Sequence, residues 1–561
     1  MNVSSKFKVL ALLALVLTLF YCSSDDASEA TKPDIGISAT ITNFGDIPVL
    51  SVSDAQTVAV TSTNLTADLR IEASANFEIS SDNSTFLGNL TIPASDANAG
   101  SKTLYVRFAP GNNAIGAISG TVQFKSSGAA TKTINVVGTG VSITPFIVVN
   151  PDSLDFGDVT VNQISDARAI SVNGDNLETD ITVITTAGFA VSLDDVTFGN
   201  SVQISAENAN NETIIYVRYE ASNVGEQLGT LTVQNQEADN VSINLRGTGL
   251  PVVYNYQTFN GQRLAFGGGY NQSATQTFNL HPDVTNIETV KMYVKLRCPA
   301  GGCDEWDVYA NVKVLDNDSG ELYEIGRYIT PYWNDNSQLP RGFEFDVTDF
   351  KSLLTGATEL RIRTECWNAD GYEVSVDFDF IEGTPDYPYY AVSRVLNYDD
   401  WSSSGVPYGV SHSFDLDKTI SIPGNAESTH LRTIISGWGH ATPYDAGGRG
   451  CAEWCYRTHS IKIDGANTFD HYMGPLGCAS NPVNNQNPGN WRPDRAGWCP
   501  GMAVPVRTDT FNSSMAGSTF NFEYDYEDWT TDGQSGNAFY ATSTFVVVKS
   551  NTPISKPTVT D

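Results

Sequence analysis

From about residue 34 to residue 250, apolar side chains recur at every second position in short runs, as in Thr121-Val122-Gln123-Phe124 and Thr230-Leu231-Thr232-Val233. That spacing predicts strands with one buried face. The alternation continues further along: Val290, Met292, Val294 and Leu296 fall on one face, with Lys291, Tyr293, Lys295 and Arg297 on the other. Val374, Val376, Phe378 and Phe380 likewise alternate with Ser375, Asp377 and Asp379, as in an antiparallel strand with one wet face. One short helix is expected over 349–354, with Thr348 as its N-cap and Gly356 just past its end. The pattern is that of an all-β protein.

A repeat of roughly 110 residues is visible in the first half. Asn43-Phe44-Gly45-Asp46 recurs as Asp155-Phe156-Gly157-Asp158, Tyr105-Val106-Arg107-Phe108 recurs as Tyr216-Val217-Arg218-Tyr219, and both copies end in Gly-Thr-Gly. Two β-sandwiches are expected, at 34–141 and 142–250 after a linker at 23–33. They resemble the immunoglobulin-like repeats of bacterial surface proteins and read as spacers. From Pro251 the composition shifts to Trp, Cys, Arg and Asp while the alternation persists, and Gly383-Thr384-Pro385-Asp386 is a natural seam. Two further packed β-sandwiches are expected, at 251–385 and 386–561.

Composition narrows the chemistry. The 561 residues suit several domains. A net charge of -32 would repel a phosphate backbone, so nucleic acid is excluded as a partner. Lys6 and Lys8 precede an apolar run at 9–20 that is too short to span a bilayer, so 1–22 reads as a signal peptide. Cys22, followed by Ser-Ser-Asp-Asp, reads as the lipidated first residue of an exported lipoprotein, surface-exposed on the outer membrane, or else secreted or periplasmic. The membrane is then reached only through that anchor. Residues 23–250 contain no Trp, His or Cys, which places the chemistry in the second half.

There, acids sit beside tryptophans and cysteines in three clusters: Cys303-Asp304-Glu305-Trp306-Asp307, Glu365-Cys366-Trp367 and Cys451-Ala452-Glu453-Trp454-Cys455. Indole faces stack on sugar rings, and carboxylates accept hydroxyl hydrogen bonds and serve as acid or base. If Cys298 pairs with Cys303 and Cys451 with Cys455, the closed loops are too short to remove much unfolded-state entropy, so the bonds would mainly set loop shape. A third bridge, Cys478 to Cys499, would enclose Asn490-Trp491-Arg492-Pro493-Asp494-Arg495-Ala496-Gly497-Trp498 and leave Cys366 over. Zinc is the competing reading of clustered cysteines; the absence of a Cys-x-x-Cys pair, the scattered histidines and the exported context favour disulfides. No nucleophile elbow, phosphate loop or His-Glu-x-x-His is present, which leaves carboxylate hydrolysis.

Trp306-Asp307, Tyr323-Glu324-Ile325-Gly326-Arg327, Thr330-Pro331-Tyr332-Trp333 and Leu339-Pro340-Arg341-Gly342, then Ser436-Gly437-Trp438-Gly439-His440, Tyr444-Asp445-Ala446-Gly447 and Asn487-Pro488-Gly489-Asn490-Trp491 resemble, in order, the peptide-N-glycosidase F family of flavobacterial amidases. The resemblance covers roughly 255–561. It implies two side-by-side antiparallel jelly rolls with a cleft between them and no metal or cofactor. The implied activity is hydrolysis of the amide between N-acetylglucosamine and asparagine in N-linked glycoproteins and glycopeptides, by a monomer. It implies Asp307 as the catalytic acid, Glu453 and Glu365 as its assistants, and Trp306, Trp367, Trp438, His440, Arg495 and Trp498 as substrate contacts. Val308 stands where the family has arginine, and Cys366 where it has threonine. An endoglycosidase with paired carboxylates and a glycan-binding protein without turnover are the alternatives.

Overall fold

A computed structural model describes residues 31–408, 415–529 and 538–561. The expected signal peptide and Cys22 lie outside the described residues. One α-helix, Ala94–Ala97, stands among the described strands. In the first repeat, a four-stranded sheet runs Asp34–Ser38, Gln56–Thr63, Lys102–Phe108, Phe77–Ser80, and a five-stranded sheet runs Asp46–Pro48, Lys132–Val141, Gly116–Lys125, Leu69–Ala73, Asn89–Ile92. Their inward residues, among them Val58, Ile71, Val106 and Phe124, form one core. The second repeat has the same two strand orders, from Phe146–Asn150 and Ser153–Thr160 onward, so each strand of one repeat has a counterpart in the other.

The repeated motifs have physical causes. Asn43 Oδ1 accepts the amide of Gly45 at 3.0 Å and Asp155 Oδ1 that of Gly157 at 2.9 Å, and each glycine takes a positive φ, 78° and 68°. These are Asx turns whose third residue sits where a Cβ is costly. In the Gly-Thr-Gly ends, a Cβ on Gly138 would stand 2.6 Å from the Phe108 ring and one on Gly247 2.5 Å from the Tyr219 ring. On Gly140 and Gly249 it would overlap the carbonyl oxygens of Ala114 and Asn223.

In the first half of the region from residue 251 onward, the sheet Val253–Gln257, Tyr372–Glu382, Ile287–Arg297, Phe343–Asp346, joined by Gln262–Leu264, faces the sheet Ser273–Asn279, Ala357–Thr364, Tyr309–Asp316, Glu321–Ile329. Val290, Met292 and Val294 meet Val312, Ile325 and Ile362 between them. The expected wet face of Tyr372–Glu382 is partly covered, because Asp379 takes hydrogen bonds from Asn255 (2.7 Å) and from Arg341 Nη2 (3.0 Å). The expected helix at 349–354 is a 3₁₀ turn, Thr348–Phe350, continued by irregular turns. Thr348 is its first residue and not its cap: the Thr348 amide donates to Asp346 Oδ1, and its hydroxyl accepts the Val290 amide. Hydrogen bonding to a neighbouring strand outcompetes a short helix that nothing else nucleates.

In the second half, the sheet Tyr389–Tyr398, Phe539–Ser550, Ser428–Trp438, Val506–Thr510 opposes Ala466–Tyr472, Thr458–Ile463, Thr519–Asp525, Asp415–Ser421, Thr558–Thr560. Leu431, Ile435 and Val546 pack there on Ile461, Phe520 and Phe522. The two halves share a third core, in which Tyr309 and Ile329 meet Ile434, Trp438, Trp498, Val504 and Ala541.

A buried polar network crosses this seam. Arg327 and Glu324 are fully enclosed, paired through Nε–Oε1 (2.9 Å) and Nη2–Oε2 (2.7 Å). Arg327 Nη1 also donates to Ser436 Oγ (2.8 Å) and Ala541 O (2.7 Å), while Glu324 accepts from Tyr309 OH (3.1 Å) and Ser543 Oγ (2.5 Å). Every charge is answered, as a buried pair requires. Glu324→Gln should strand the cation of Arg327 and cost about 3–5 kcal/mol in denaturant unfolding. A loss below about 1 kcal/mol would show that the seam does not depend on the pair.

Candidate active site

The chain enters the cleft through the segment 303–308, which lies between a disulfide and the strand Tyr309–Asp316. Cys298 and Cys303 are bonded, closing the turn before it. Thr330, at the end of the neighbouring strand, clamps the segment, since its hydroxyl donates to Trp306 O (2.9 Å) and accepts the Val308 amide (2.8 Å). Asp304 is completely buried. Its carboxylate accepts the amides of Trp306 (3.1 Å), Trp367 (2.6 Å) and Asn368 (3.3 Å), so it binds the two tryptophan-bearing loops to each other. Trp306 and Trp367 then stand 6.0 Å apart between ring centroids, 45% and 68% exposed, as an open aromatic wall. In sequence Asp304 is one acid of a cluster; only the fold separates its structural part from that of Asp307.

Across the cleft, the hairpin His440–Tyr444 with Gly450–Ala452 leads to Glu453, and a Cys451–Cys455 bond brackets that residue. The Cys478–Cys499 bond closes the loop that carries Arg495, and Asp494 Oδ1 pins the loop by accepting three successive amides, Leu476, Gly477 and Cys478. Cys478, Asp494 and Cys499 have metal-like proximity, but the two sulfurs are already bonded to each other. Arg495, 1% exposed, donates through Nη2 to Asp307 Oδ2 (3.1 Å), Tyr332 OH (3.2 Å) and Asn490 O (2.6 Å). Its Nε lies 3.4 Å from Glu453 Oε1 without an aligned hydrogen bond, so that contact is Coulombic. The rings of Trp454 and Trp498 flank the guanidinium at 4.5 and 5.2 Å.

The floor belongs to the seam. Trp438 and Trp498 stack at 4.5 Å, and Trp498 Nε1 donates to Gly437 O. Trp438 Nε1 donates to the same Ser436 Oγ that Arg327 reaches. The cleft so formed has a volume of about 750 Å³. All nine residues expected at the site line it: Asp307, Glu365 and Glu453, with Trp306, Trp367, Trp438, His440, Arg495 and Trp498. Val308 also lines it, although largely buried. Tyr332, Ser402 and Asn490 line it too and were not among the expected residues. Nothing in the sequence pairs Ser402 with Glu365, yet its amide and hydroxyl both reach that carboxylate at 2.7 Å. Cys366 is buried and turned away, its thiol donating to Leu264 O at 3.4 Å.

Burial controls the acids. Desolvation pushes Asp307 up to about 7 against the pull of Arg495, with the Glu453 charge adding to the rise and a Tyr332 hydrogen bond opposing it. Desolvation also raises Glu365, with the two Ser402 hydrogen bonds opposing. His440, whose Nε2 lies 3.3 Å from Glu453 Oε2, is raised chiefly by its hydrogen bond to that carboxylate.

The folded chain therefore keeps a proton on Asp307 that the unfolded chain releases, and its stability falls as pH rises from about 4 to about 7. Asp307→Asn should gain on the wild type across that window, levelling off above it at no more than about 4 kcal/mol, read from denaturant unfolding at several pH values. A gap independent of pH would show that Asp307 titrates normally. Arg495→Met removes the group that lowers Asp307, and should move the acid limb of any activity profile to higher pH.

Comparison with known proteins converges on one family. The model of "Peptide-N-glycosidase F, C terminal" matches residues 410–546. The chain is 58% identical over 323 residues to peptide-N(4)-(N-acetyl-beta-D-glucosaminyl)asparagine amidase F of Elizabethkingia miricola, a match spanning 58% of this chain and 91% of that one. A solved structure of PNGase F, a glycosylasparaginase from Flavobacterium meningosepticum, is 60% identical with a TM-score of 0.54, covering 55% of this chain and 100% of that one. Recombinant peptide:N-glycanase F gives the same identity and TM-score, with 55% and 99% covered. With its two catalytic-region sandwiches and its cleft, the chain belongs to the peptide-N-glycosidase F family.

Proposed function

We propose that this chain hydrolyses the amide joining N-acetylglucosamine to asparagine in N-glycoproteins and glycopeptides, releasing the whole glycan and leaving aspartate. The observation that carries this reading is a single carboxyl, Asp307, buried in a cleft lined with indoles and held near neutrality between Arg495 and Glu453. A group that titrates near working pH can both accept and return a proton. Ionised Asp307 takes a proton from water as the oxygen attacks the amide carbonyl carbon. The same proton returns to nitrogen as the carbon–nitrogen bond breaks, and a glycosylamine departs, losing ammonia later in solution. Arg495, itself anchored on Asn490 O, and Tyr332 hold Asp307 in place, while Glu365 and Glu453 face the sugar hydroxyls and the attacking water. No metal or cofactor enters this scheme. The three disulfides suit the exported position read from residues 1–22.

The two repeats act as spacers. Supporting this, a relative's chain is matched from end to end by 55% of this one.

Mass spectrometry of a digested glycopeptide tests the reaction. The expected products are an intact glycan and aspartate at the attachment site; a single sugar left on asparagine would mean an endoglycosidase, and an unchanged substrate a binding protein. Asp307→Asn should lower kcat by at least about 100-fold while glycan binding survives, and near-normal turnover would reassign the acid. Residues 251–561 expressed alone in an oxidising compartment should retain turnover on small glycopeptides; a folded but inactive fragment would make the repeats part of the site.

A further inference from the structure

Beyond the cleft, one aromatic surface has no part in the chemistry above. The strand Gln262–Leu264 runs into a turn whose tip is Gly267, Gly268 and Gly269, all at positive φ (81°, 64° and 85°). The tip is exposed, with Ala369 Cβ and the Tyr270 ring beside Gly268, and the flanking Phe266 and Tyr270 are 59% and 47% exposed. The turn is fastened to the loop carrying Trp367. The Phe266 amide donates to Asn368 O (2.8 Å), Arg263 Nη2 to Ala369 O (2.9 Å) and Gln272 Nε2 to Cys366 O (2.8 Å). The Cys366 thiol, donating to Leu264 O, joins the same two segments. Asp304 locks that loop to Trp306 in turn. Trp306 and Trp367 stand in the cleft, and the Phe266–Tyr270 turn is bonded to the residue that follows Trp367, so the turn lies next to the loop that forms the cleft's aromatic wall.

We propose that Phe266 and Tyr270 form an outer carbohydrate subsite, stacking on sugar rings of the N-glycan beyond the two innermost. The inference rests on the amidase reading. A cleft of about 750 Å³ is the size of a site for a compact small ligand, so the outer rings of a whole glycan must cross the rim. The turn bonded to the Trp367 loop offers the exposed flat rings of Phe266 and Tyr270, which suit pyranose rings. The Arg263 guanidinium stands over one face of the Tyr270 ring at 4.9 Å. A polypeptide would be served poorly here: the amides of Ala265, Phe266 and Tyr270 are already bonded to Asn271 O, Asn368 O and Gly267 O, so the turn presents no free ladder for strand addition.

The test compares two glycopeptides with one peptide sequence, the first carrying two N-acetylglucosamine residues and the second a complete high-mannose glycan. In the full-length Phe266→Ala/Tyr270→Ala variant, KM for the complete glycan should rise about tenfold, equivalent to about 1.4 kcal/mol. KM for the short substrate and kcat for both should stay at wild-type values, which also reports an intact fold. Tyr270→Phe, which keeps the ring, should behave as wild type. An equal rise for both substrates would transfer the surface to the peptide, and no rise for either would remove it from recognition; both overturn the proposal. Equilibrium binding of free high-mannose glycan, compared between Asp307→Asn and the same variant with Phe266→Ala/Tyr270→Ala, reads the subsite without turnover. If wild type leaves both substrates without aspartate, the amidase reading fails while this binding difference still decides the subsite.

Discussion

The catalytic cleft depends on a buried ion pair in the seam between two sandwiches. Arg327 rises from the first sandwich and reaches Ser436 and Ala541 of the second, while Glu324 answers its charge and takes a hydrogen bond from Ser543. Because neither group can regain water, each must keep its partners, and this sets the two sheets in one relative position. Ser436 then passes the constraint to Trp438, and Trp438 passes it to Trp498 by stacking. The floor under the substrate is therefore an extension of the interface, and the two walls, one from each sandwich, inherit its geometry.

Enclosure also makes the chemistry. Asp307 would be an ordinary, fully ionised aspartate in water. Buried in a cleft that Trp306, Trp498 and Tyr332 also line, it loses more by desolvation than Arg495 restores, and its proton affinity rises into the neutral range. The folded protein gives up stability to hold such a group, a common relation between active sites and the scaffolds around them. The disulfides border the site: two close the loops that carry Glu453 and Arg495, and the third closes the turn just ahead of the segment that bears Asp307. Asp304 and Asp494 supply the matching local order through backbone amides, so these two acids are structural while Asp307, Glu365 and Glu453 line the cleft.

Much of this is legible in the chain before folding is considered. Period-two alternation identifies the strands, because a half-buried sheet must place apolar groups on alternate residues. The internal repeat shows in Asx turns and Gly-Thr-Gly ends, since a left-handed turn and a ring lying on the backbone both demand glycine at defined places. The juxtaposition of acids, tryptophans and cysteines marks the site because stacking on sugars, proton transfer and loop closure each need a particular side chain. Such requirements are local, and the order of residues states them directly.

Tertiary structure decided the rest. Whether Asp304 or Asp307 faces the substrate, that Ser402 crosses the seam to hold Glu365, and that Tyr332 and Asn490 converge on Arg495 all depend on contacts between residues far apart in sequence. The short helix expected at 349–354 yielded to a 3₁₀ turn for the same reason, as Thr348 bonds to a strand some sixty residues away. Side-chain type fixes what a residue can do, and sequence records type. Which groups lose their water, and which charges then face one another, is set only when separate segments pack together, because desolvation and Coulomb energy depend on distance in space and not on distance along the chain.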